Sequence, residues 1–345
     1  MTTTVLDKDG TFRLIDSLNR DKIKFYNFYN IDFSPDEYNY QKYMTEFNEG
    51  DSTLKVLNKT FYDIEIFYNP EVFPDAEKAA YPVNAIAVYN NVKNEATVFT
   101  LLMDSNREEA SVLEKGVNDL YSKTCEENET YTIEDIRIKV DTFESEAKLL
   151  QRFFEYVIDL NTLFLIGFNS SLFDDPYVVN RGINLIGNDI YNSISEFGEV
   201  SKFGTRTYSW PDYLLLDILK LYKPNDAGGA GFGRSLPNYK LDTVAEHELG
   251  IKKLDLEDMN WEYENNLVRF LTYNLFDTLL TFKLDEKLRF LELQWSLCKY
   301  NEAPVSAAIN GRSLMYRYRN DLIYTRRGQA VRSKPFAREI FYPLE

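Results

Sequence analysis

Residues 61–70 of the chain read FYDIEIFYNP and place two carboxylates, Asp63 and Glu65, one residue apart in a run of Phe, Tyr and Ile. Such a run predicts a β-strand, in which alternate side chains point to the same face and lie about 7 Å apart along the backbone. Ile64 and Ile66 then fill the opposite face. Because a buried carboxylate is costly unless it is paired or binds a metal, the strand predicts a site for a divalent cation, provided that other acids converge on it.

The composition indicates a soluble globular protein. The 345 residues, of which 44% are hydrophobic and 27% charged, suffice for one large domain or two of ordinary size. No apolar run is long enough to span a membrane, and the N-terminus MTTTVLDKDG lacks the apolar core of a signal peptide. The two cysteines are isolated, which favours a reducing compartment. We therefore expect a cytoplasmic protein with no membrane partner.

The charge and the histidine content argue against several kinds of chemistry. The chain has a single histidine, His247, which argues against a His-rich metal site, a Ser-His-Asp triad and a Cys-His pair. The formal net charge of −16 argues against a protein that coats DNA without selectivity. It is compatible with a nucleic-acid enzyme, since cation sites need clustered acids. The chemistry is left to carboxylates, Tyr, Lys or Arg.

The pattern of apolar residues indicates an α/β fold, with a mixed sheet flanked by helices. The segment of residues 1 to about 60 is weakly periodic and predicts a small N-terminal module. The elements predicted after it are strands at 61–68, 83–91 and 95–103, a helix at 144–160, a strand at 162–169 followed by a helix, a strand at 213–222, a helix at 242–250 and a long helix at 265–297.

A second acidic motif, IGFNSSLFDDP at 166–176, follows a predicted buried strand. Acids at the end of such a strand lie where α/β sheets present ligands. Asp174 and Asp175 compete for this role, because adjacent side chains cannot both point inward. Either acid could instead stabilise the N-terminus of the helix that follows. Asn169 and Phe173 add a hydrogen-bonding amide and an aromatic face.

A third motif, TYNLFDTLL at 272–280, lies in the long predicted helix. Tyr273 and Asp277 are four residues apart and share one helix face. The same spacing occurs at Tyr213 and Asp217, but in a strand it separates the two residues by about 13 Å. The helical copy is therefore favoured. Each motif alone has a structural interpretation; together they supply four carboxylates and a phenol, which is the apparatus of two-metal phosphoryl transfer.

With these residues in view, the chain resembles the 3′→5′ exonuclease region of family B DNA polymerases, especially those of T-even-type bacteriophages. The resemblance depends on FYDIE (61–65), GFNSSLFDDPYVVNR (167–181) and YNLFD (273–277), with SLPNYKLDTVAEHELG (235–250) as a further similar segment. It implies a ribonuclease H-like exonuclease domain over 59–289. It also implies a small N-terminal domain that is begun by 1–58 and completed by the C-terminal segment 290–345.

The resemblance also implies the catalytic residues. Asp63, Glu65, Asp174 and Asp277 correspond to the ligands of two Mg²⁺ or Mn²⁺ ions, which selects Asp174 over Asp175. Tyr273 corresponds to the residue that orients the attacking water and marks the DEDDy type of these nucleases. The implied reaction is proofreading, in which nucleoside 5′-monophosphates are released from single-stranded DNA or from a frayed primer 3′ end.

Candidate DNA-binding residues lie around these motifs. Asn169 and Phe173 are expected to hold the frayed 3′ end, and Phe67 stands where family members often carry a hydroxyl group near the terminal nucleotide. The segment 199–210 is either the hairpin that helps to part the strands or an ordinary surface hairpin. The C-terminal tail is basic and interleaved with Tyr, which suits contact with phosphates or with an acidic partner surface; its candidate residues are Arg317, Arg319, Arg326 and Arg327.

The palm motifs of family B polymerases are absent from the chain. We therefore expect the exonuclease part of a split or truncated polymerase, with a separate palm and thumb subunit as a partner. One alternative function is a catalytically silent scaffold that binds DNA or a polymerase. This alternative stays open because Phe67 replaces the hydroxyl residue that family members often carry at this position. Another is a stand-alone nuclease that acts on RNA or on repair intermediates.

Overall fold

In the computed structural model of the protein, the residues described are 2–6, 12–16, 57–69, 72, 74–162, 164–195, 200–203, 207–209, 213–223, 233, 235–251, 256 and 258–293. The chain divides into two compact units, Met1–Leu54 with Phe290–Glu345, and Lys55–Arg289. In the first unit, β1 (Thr2–Leu6) pairs antiparallel with β2 (Phe12–Asp16). Most of the predicted N-terminal module and the basic tail lie outside the described residues, so the domain assignment stays a prediction.

The second unit is built on a six-stranded mixed sheet with the order β10-β7-β3-β4-β5-β6. Its strands are β3 (Lys59–Ile66), β4 (Val83–Asn90), β5 (Glu95–Leu101), β6 (Arg137–Phe143), β7 (Phe164–Gly167) and β10 (Leu214–Asp217). The meander β3-β4-β5 is antiparallel, whereas β3-β7, β7-β10 and β5-β6 are parallel. The short strands β8 (Ser201–Phe203) and β9 (Thr207–Ser209) pair antiparallel apart from the main sheet. The predicted α/β class with a mixed sheet is confirmed.

Helices alternate with these strands. They are α1 (Ala110–Glu127), α2 (Glu146–Asp159), α3 (Asp174–Ile186), α4 (Tyr191–Ile194), α5 (Ile218–Tyr222), α6 (Leu241–Leu249), α7 (Met259–Asn265) and α8 (Leu267–Leu288). Among the described residues, none of the helices combines the length and the apolar character that crossing a membrane requires. The predictions at 144–160 and 242–250 are confirmed, and Gly250 ends α6 with a left-handed φ of +73°.

Two predicted elements were wrong in part. The strand expected over 213–222 ends at Asp217, whose carboxylate accepts a hydrogen bond from Leu219 N and thereby caps α5. The long helix expected over 265–297 is interrupted at Asn266, and α8 ends at Leu288 because Arg289 adopts a left-handed φ of +52°. Residues 294–297 lie outside the described residues.

Helices cover both faces of the sheet around β3. On one face, Tyr62 and Ile64 join the main apolar core with residues of α2 and α3, and the Tyr62 ring lies 5.7 Å from that of Phe153. On the other face, Phe61 packs against Phe282 of α8, with ring centroids 5.3 Å apart. Burying a large apolar side chain contributes about 1.5–3 kcal/mol. The alternation along β3 therefore fixes which face receives Asp63.

Candidate metal centre

Three carboxylates converge between β3 and α8. Asp63 and Glu65 come from β3, Asp277 comes from α8, and each offers an oxygen atom such that the three atoms all lie within 4.8 Å of one another. Asp277 is 3% exposed, whereas Asp63 and Glu65 are partly buried. The arrangement brings three negative charges together in a poorly solvated place, which favours a bound cation.

Hydrogen bonds set the position of α8 on the sheet. The Asn274 side-chain amide donates to the Asp63 carboxylate (2.9 Å) and to the Asp63 carbonyl (3.3 Å). One turn further along α8, the Thr278 hydroxyl donates to the Ala87 carbonyl of β4 (3.3 Å). These contacts hold Asp277 beside the two acids of β3.

Asp174 lies at the first position of α3 and is 7% exposed. Burial raises the pKa of its carboxyl well above the usual range, and the negative charges of Asp63 and Asp175 raise this pKa further. Hydrogen bonds from the backbone N–H groups of Asp174 and Ile64 oppose the increase. Asp174 therefore lies within electrostatic reach of Asp63, but it is not one of the three described acids whose oxygen atoms lie within 4.8 Å of one another.

Asp175, the competing acid, faces the protein interior. Its carboxylate accepts hydrogen bonds from the Tyr62 hydroxyl and from the Ser170 hydroxyl, the latter at 3.5 Å. Burial raises the pKa of Asp175 to about 7, although the Tyr62 hydrogen bond lowers it. The two neighbouring acids thus differ in their contacts: Asp175 links the start of α3 to Tyr62 of β3 and to Ser170, whereas Asp174 lies within electrostatic reach of Asp63.

The loop after β7 has a fixed shape. A Cβ atom on Gly167 would lie 2.4 Å from the Ser170 Cβ, so this position requires glycine. Asn169 adopts a left-handed φ of +64°, which Asn tolerates better than most residues. The Asp217 carboxylate at the end of β10 accepts hydrogen bonds from Asn169 N (2.9 Å) and from the Ser171 hydroxyl (2.6 Å). Asp217, one member of the rival Tyr213–Asp217 pair, therefore holds the loop after β7 in place.

Of the other predicted site residues, the structure describes Tyr273, Phe173 and Phe67. Tyr273 is partly buried on α8, one turn before Asp277. The Phe173 ring lies 5.1 Å from that of Tyr177, and the Phe67 ring lies 5.9 Å from that of Tyr263. Arg317, Arg319, Arg326 and Arg327 lie outside the described residues, so their roles stay predictions.

The sequence analysis did not identify Asn274 or the anchoring contacts of Asp217. Asn274 follows Tyr273 directly and lies three residues before Asp277, so it was inside the quoted motif. Residues three apart on a helix are neighbours, and this spacing was the available signal. The loop residues that Asp217 anchors, Asn169 and Ser171, are 46 to 48 residues away in sequence, and spacing gives no signal for these contacts.

Helices on both faces of a mixed sheet, with acids gathered beside a central strand, define a ribonuclease H-like exonuclease domain. The chain belongs to DNA polymerase family B: the sequence model described as "DNA polymerase family B, exonuclease domain" matches residues 15–244. The matched part contains Asp63, Glu65 and Asp174 and ends before Asp277. The predicted family and the predicted exonuclease fold are confirmed.

Known proteins with similar sequences are DNA polymerases, several of them viral. The DNA-directed DNA polymerase of Escherichia phage RB69 is 25% identical over 294 residues, which are 82% of this chain and 30% of that protein. The DNA-directed DNA polymerase of Enterobacteria phage T4 is 28% identical over 257 residues, which are 72% of this chain and 27% of that protein. The DNA polymerase of Orgyia pseudotsugata multicapsid polyhedrosis virus is 27% identical over 203 residues, which are 52% of this chain and 19% of that protein. The chain thus spans less than a third of the length of these relatives.

Proposed function

We propose that the protein is a proofreading 3′→5′ exonuclease that shortens single-stranded DNA and frayed primer ends. The observation that carries the proposal is the convergence of Asp63, Glu65 and Asp277, with Asp174 alongside. Membership of a polymerase family through its exonuclease domain supports it.

The four acids fit divalent metal ions. Carboxylate oxygens are the ligands that Mg²⁺ and Mn²⁺ prefer. The pKa of Asp174 is raised first by burial and then by the negative charges of Asp63 and Asp175, which a cation would compensate. Asp63, Glu65, Asp174 and Asp277 are the residues that would hold two such ions. Bound there, such ions would acidify a water molecule and stabilise the charge that develops on the leaving 3′-oxygen.

The chain's own residues would orient the reactants. Tyr273 lies one turn before Asp277 on α8, from where its hydroxyl would position the attacking water by a hydrogen bond. The product would be a nucleoside 5′-monophosphate. This assignment makes the protein a two-metal exodeoxyribonuclease of the DEDDy type.

Binding of the 3′ end would involve the loop after β7. Asp217 holds this loop in place, and Asn169 and Phe173 on it would contact the terminal nucleotides. Stacking on an aromatic side chain contributes about 1–3 kcal/mol per base. A mismatched end frays at a lower cost than a paired end, so selectivity for errors needs no reading of the bases. Phe67 would lie near the terminal nucleotide.

The partner would be a polymerase palm and thumb, because the relatives are polymerases more than three times as long as the matched segment. The basic tail at 312–338 is the proposed contact with DNA phosphates or with this partner. Such a protein would act in the cytoplasm, or in the host cytoplasm if it is viral.

The test is degradation of a 5′-labelled single-stranded oligodeoxynucleotide in Mg²⁺. Replacing both Asp63 and Glu65 by Ala should abolish the shortening and leave binding of the oligonucleotide largely intact. The matched control is the Asp255→Ala/Glu257→Ala variant, which removes the same Asp-x-Glu spacing elsewhere in the chain. Shortening by the Asp63→Ala/Glu65→Ala variant at the wild-type rate would refute the proposal.

The alternatives give different results in the same assay. A silent scaffold would bind the oligonucleotide and leave it intact in Mg²⁺ and in Mn²⁺. A nuclease for RNA would degrade the matched oligoribonucleotide faster than the oligodeoxyribonucleotide.

A further inference from the structure

Asn274 donates two hydrogen bonds to Asp63, one of the proposed metal ligands. Its side chain is fully buried on α8, and its Nδ2 donates to both the side chain and the backbone carbonyl of Asp63, at 2.9 and 3.3 Å. The second polar atom, Asn274 Oδ1, is buried with no hydrogen-bond partner in the described part of the chain. The hydrogen bonds of this amide are therefore both directed at Asp63.

Two bonds to one residue fix its geometry. A donor that holds both Oδ2 and the carbonyl of Asp63 restricts rotation about the bonds between them, so that the carboxylate keeps one direction relative to β3. An amide is also neutral. It orients Asp63 without cancelling the negative charge that a cation needs, which a Lys in the same place would do.

We propose that Asn274 is a positioning residue that holds the Asp63 carboxylate in the orientation required to bind metal ions. This inference depends on the proposed function, because it assigns a role within the same centre. Residues that orient metal ligands in this way change metal affinity or activity by about 10–100-fold when they are replaced.

The alternative is that Asn274 only attaches α8 to the sheet. Thr278 provides the control: it lies one turn further along the same helix, is also fully buried, and its hydroxyl proton is shared between the Ala87 carbonyl of β4 (3.3 Å) and the Asn274 backbone carbonyl (3.2 Å). The Thr278→Val variant removes this link between the helix and the sheet but keeps the Asn274 side chain and all the acids. Asn274→Leu keeps the number and branching of the side-chain heavy atoms, removes the donor to Asp63 and also removes the buried Oδ1.

The experiment is a calorimetric titration of the full chain with Mn²⁺, combined with exonuclease rates over a range of Mg²⁺ concentrations. For Asn274→Leu we expect the apparent Kd for Mn²⁺ to rise about 10–100-fold, with the rate partly restored at high Mg²⁺. Thr278→Val should bind Mn²⁺ as the wild type does. The melting temperatures of both variants in EDTA report any loss of folding.

The outcomes separate this inference from the proposed function. Wild-type affinity for Mn²⁺ in Asn274→Leu, together with lost affinity in Asp63→Ala/Glu65→Ala, overturns the role of Asn274 alone. An equal loss of affinity in Asn274→Leu and Thr278→Val also overturns it, in favour of the attachment role. Wild-type affinity in Asp63→Ala/Glu65→Ala overturns the metal centre itself. If Asn274→Leu does not fold, Asn274→Ser, which keeps a shorter donor, takes its place and should give a smaller rise in Kd than Asn274→Ala.

Discussion

Lys59 and Asp285 form a buried ion pair, with 2.5 Å between Lys59 Nζ and Asp285 Oδ2 and side chains 7% and 0% exposed. Lys59 lies on β3 four residues before Asp63, a distance of about 13 Å along a strand. Asp285 lies on α8 eight residues after Asp277, a distance of about 12 Å along a helix. The ion pair and the acidic cluster are thus separated by matching lengths on both elements. The pair therefore fixes how far α8 slides along β3, and with it the position of Asp277 beside Asp63.

Removing one member of this pair should destabilise the protein strongly. Lys59→Met removes the cation that faces the buried Asp285 carboxylate, and breaking such a pair costs about 3–5 kcal/mol. The double variant Lys59→Met/Asp285→Leu removes both charges and should recover most of this loss, since apolar replacements of buried pairs are often neutral or stabilising. Urea denaturation measures both variants. A free energy of unfolding within 1 kcal/mol of the wild type for Lys59→Met would contradict the prediction.

Asp217, which anchors the loop after β7, should affect the KM for the DNA substrate. Asp217→Ala removes the acceptor for Asn169 N and the Ser171 hydroxyl, so the loop that carries Asn169 loses its fixed shape. If about 1.4 kcal/mol of binding is lost, affinity falls tenfold. We expect KM for a single-stranded oligonucleotide to rise about tenfold, with a smaller change in kcat.

The control for this prediction is Asp159→Ala, which removes an exposed carboxylate at the end of α2 that pairs with Arg152. It should leave KM unchanged. A fall in kcat for Asp217→Ala at constant KM would show that the loop acts on the chemical step and not on the DNA end.

The sequence predicted the elements in which buried apolar residues recur at regular spacing. It missed the features that depend on partners distant in sequence. The strands β3, β4 and β5 could be predicted from the sequence, because their apolar residues are continuous or alternate with polar ones. Helix α1 and strand β6 were not identified: α1 buries only Leu113, Val117, Tyr121 and Cys125 of its 18 residues, and β6 alternates between exposed and buried positions only at residues 137–140. At the site, the motif acids were found from spacing and resemblance. The pairing of Lys59 with Asp285 spans 226 residues, and no local pattern encodes it.

The hairpin formed by β8 and β9 is attached to the helix that begins with Asp174. The Tyr208 hydroxyl donates to Asn180 Oδ1 of α3 (2.6 Å), and Asn180 Nδ2 donates to the Ala76 carbonyl (2.9 Å). Tyr208→Phe removes one hydrogen bond, worth about 0.5–1.5 kcal/mol, and loosens this attachment. If the hairpin parts DNA strands, the rate on a duplex with a mismatched 3′ end should fall several-fold more than the rate on single-stranded DNA.

A second tyrosine supplies the comparison for the hairpin. Tyr177 also lies on α3, but its hydroxyl donates to the Tyr81 carbonyl (2.8 Å) and not to the hairpin. Tyr177→Phe should therefore lower both rates in equal proportion or leave both unchanged. Equal ratios of duplex to single-strand rates in the two variants would mean that the hairpin is an ordinary surface feature.

The buried Asp175 should make folding stability depend on pH. Burial raises its pKa to about 7 in the folded protein, whereas the unfolded chain has a pKa of about 3.9 at this position. Between these values the folded state keeps a proton that the unfolded state has lost, so the free energy of unfolding decreases as pH rises, by at most about 1.4 kcal/mol per pH unit.

Asp175→Asn removes this contribution and keeps an acceptor for the Tyr62 hydroxyl. In EDTA, the stability of Asp175→Asn relative to the wild type should increase from pH 5 to about pH 7 and then level off, whereas the exposed Asp159→Asn should follow the wild-type curve. Parallel curves for Asp175→Asn and the wild type would show that Asp175 is ionised in the folded protein throughout this range.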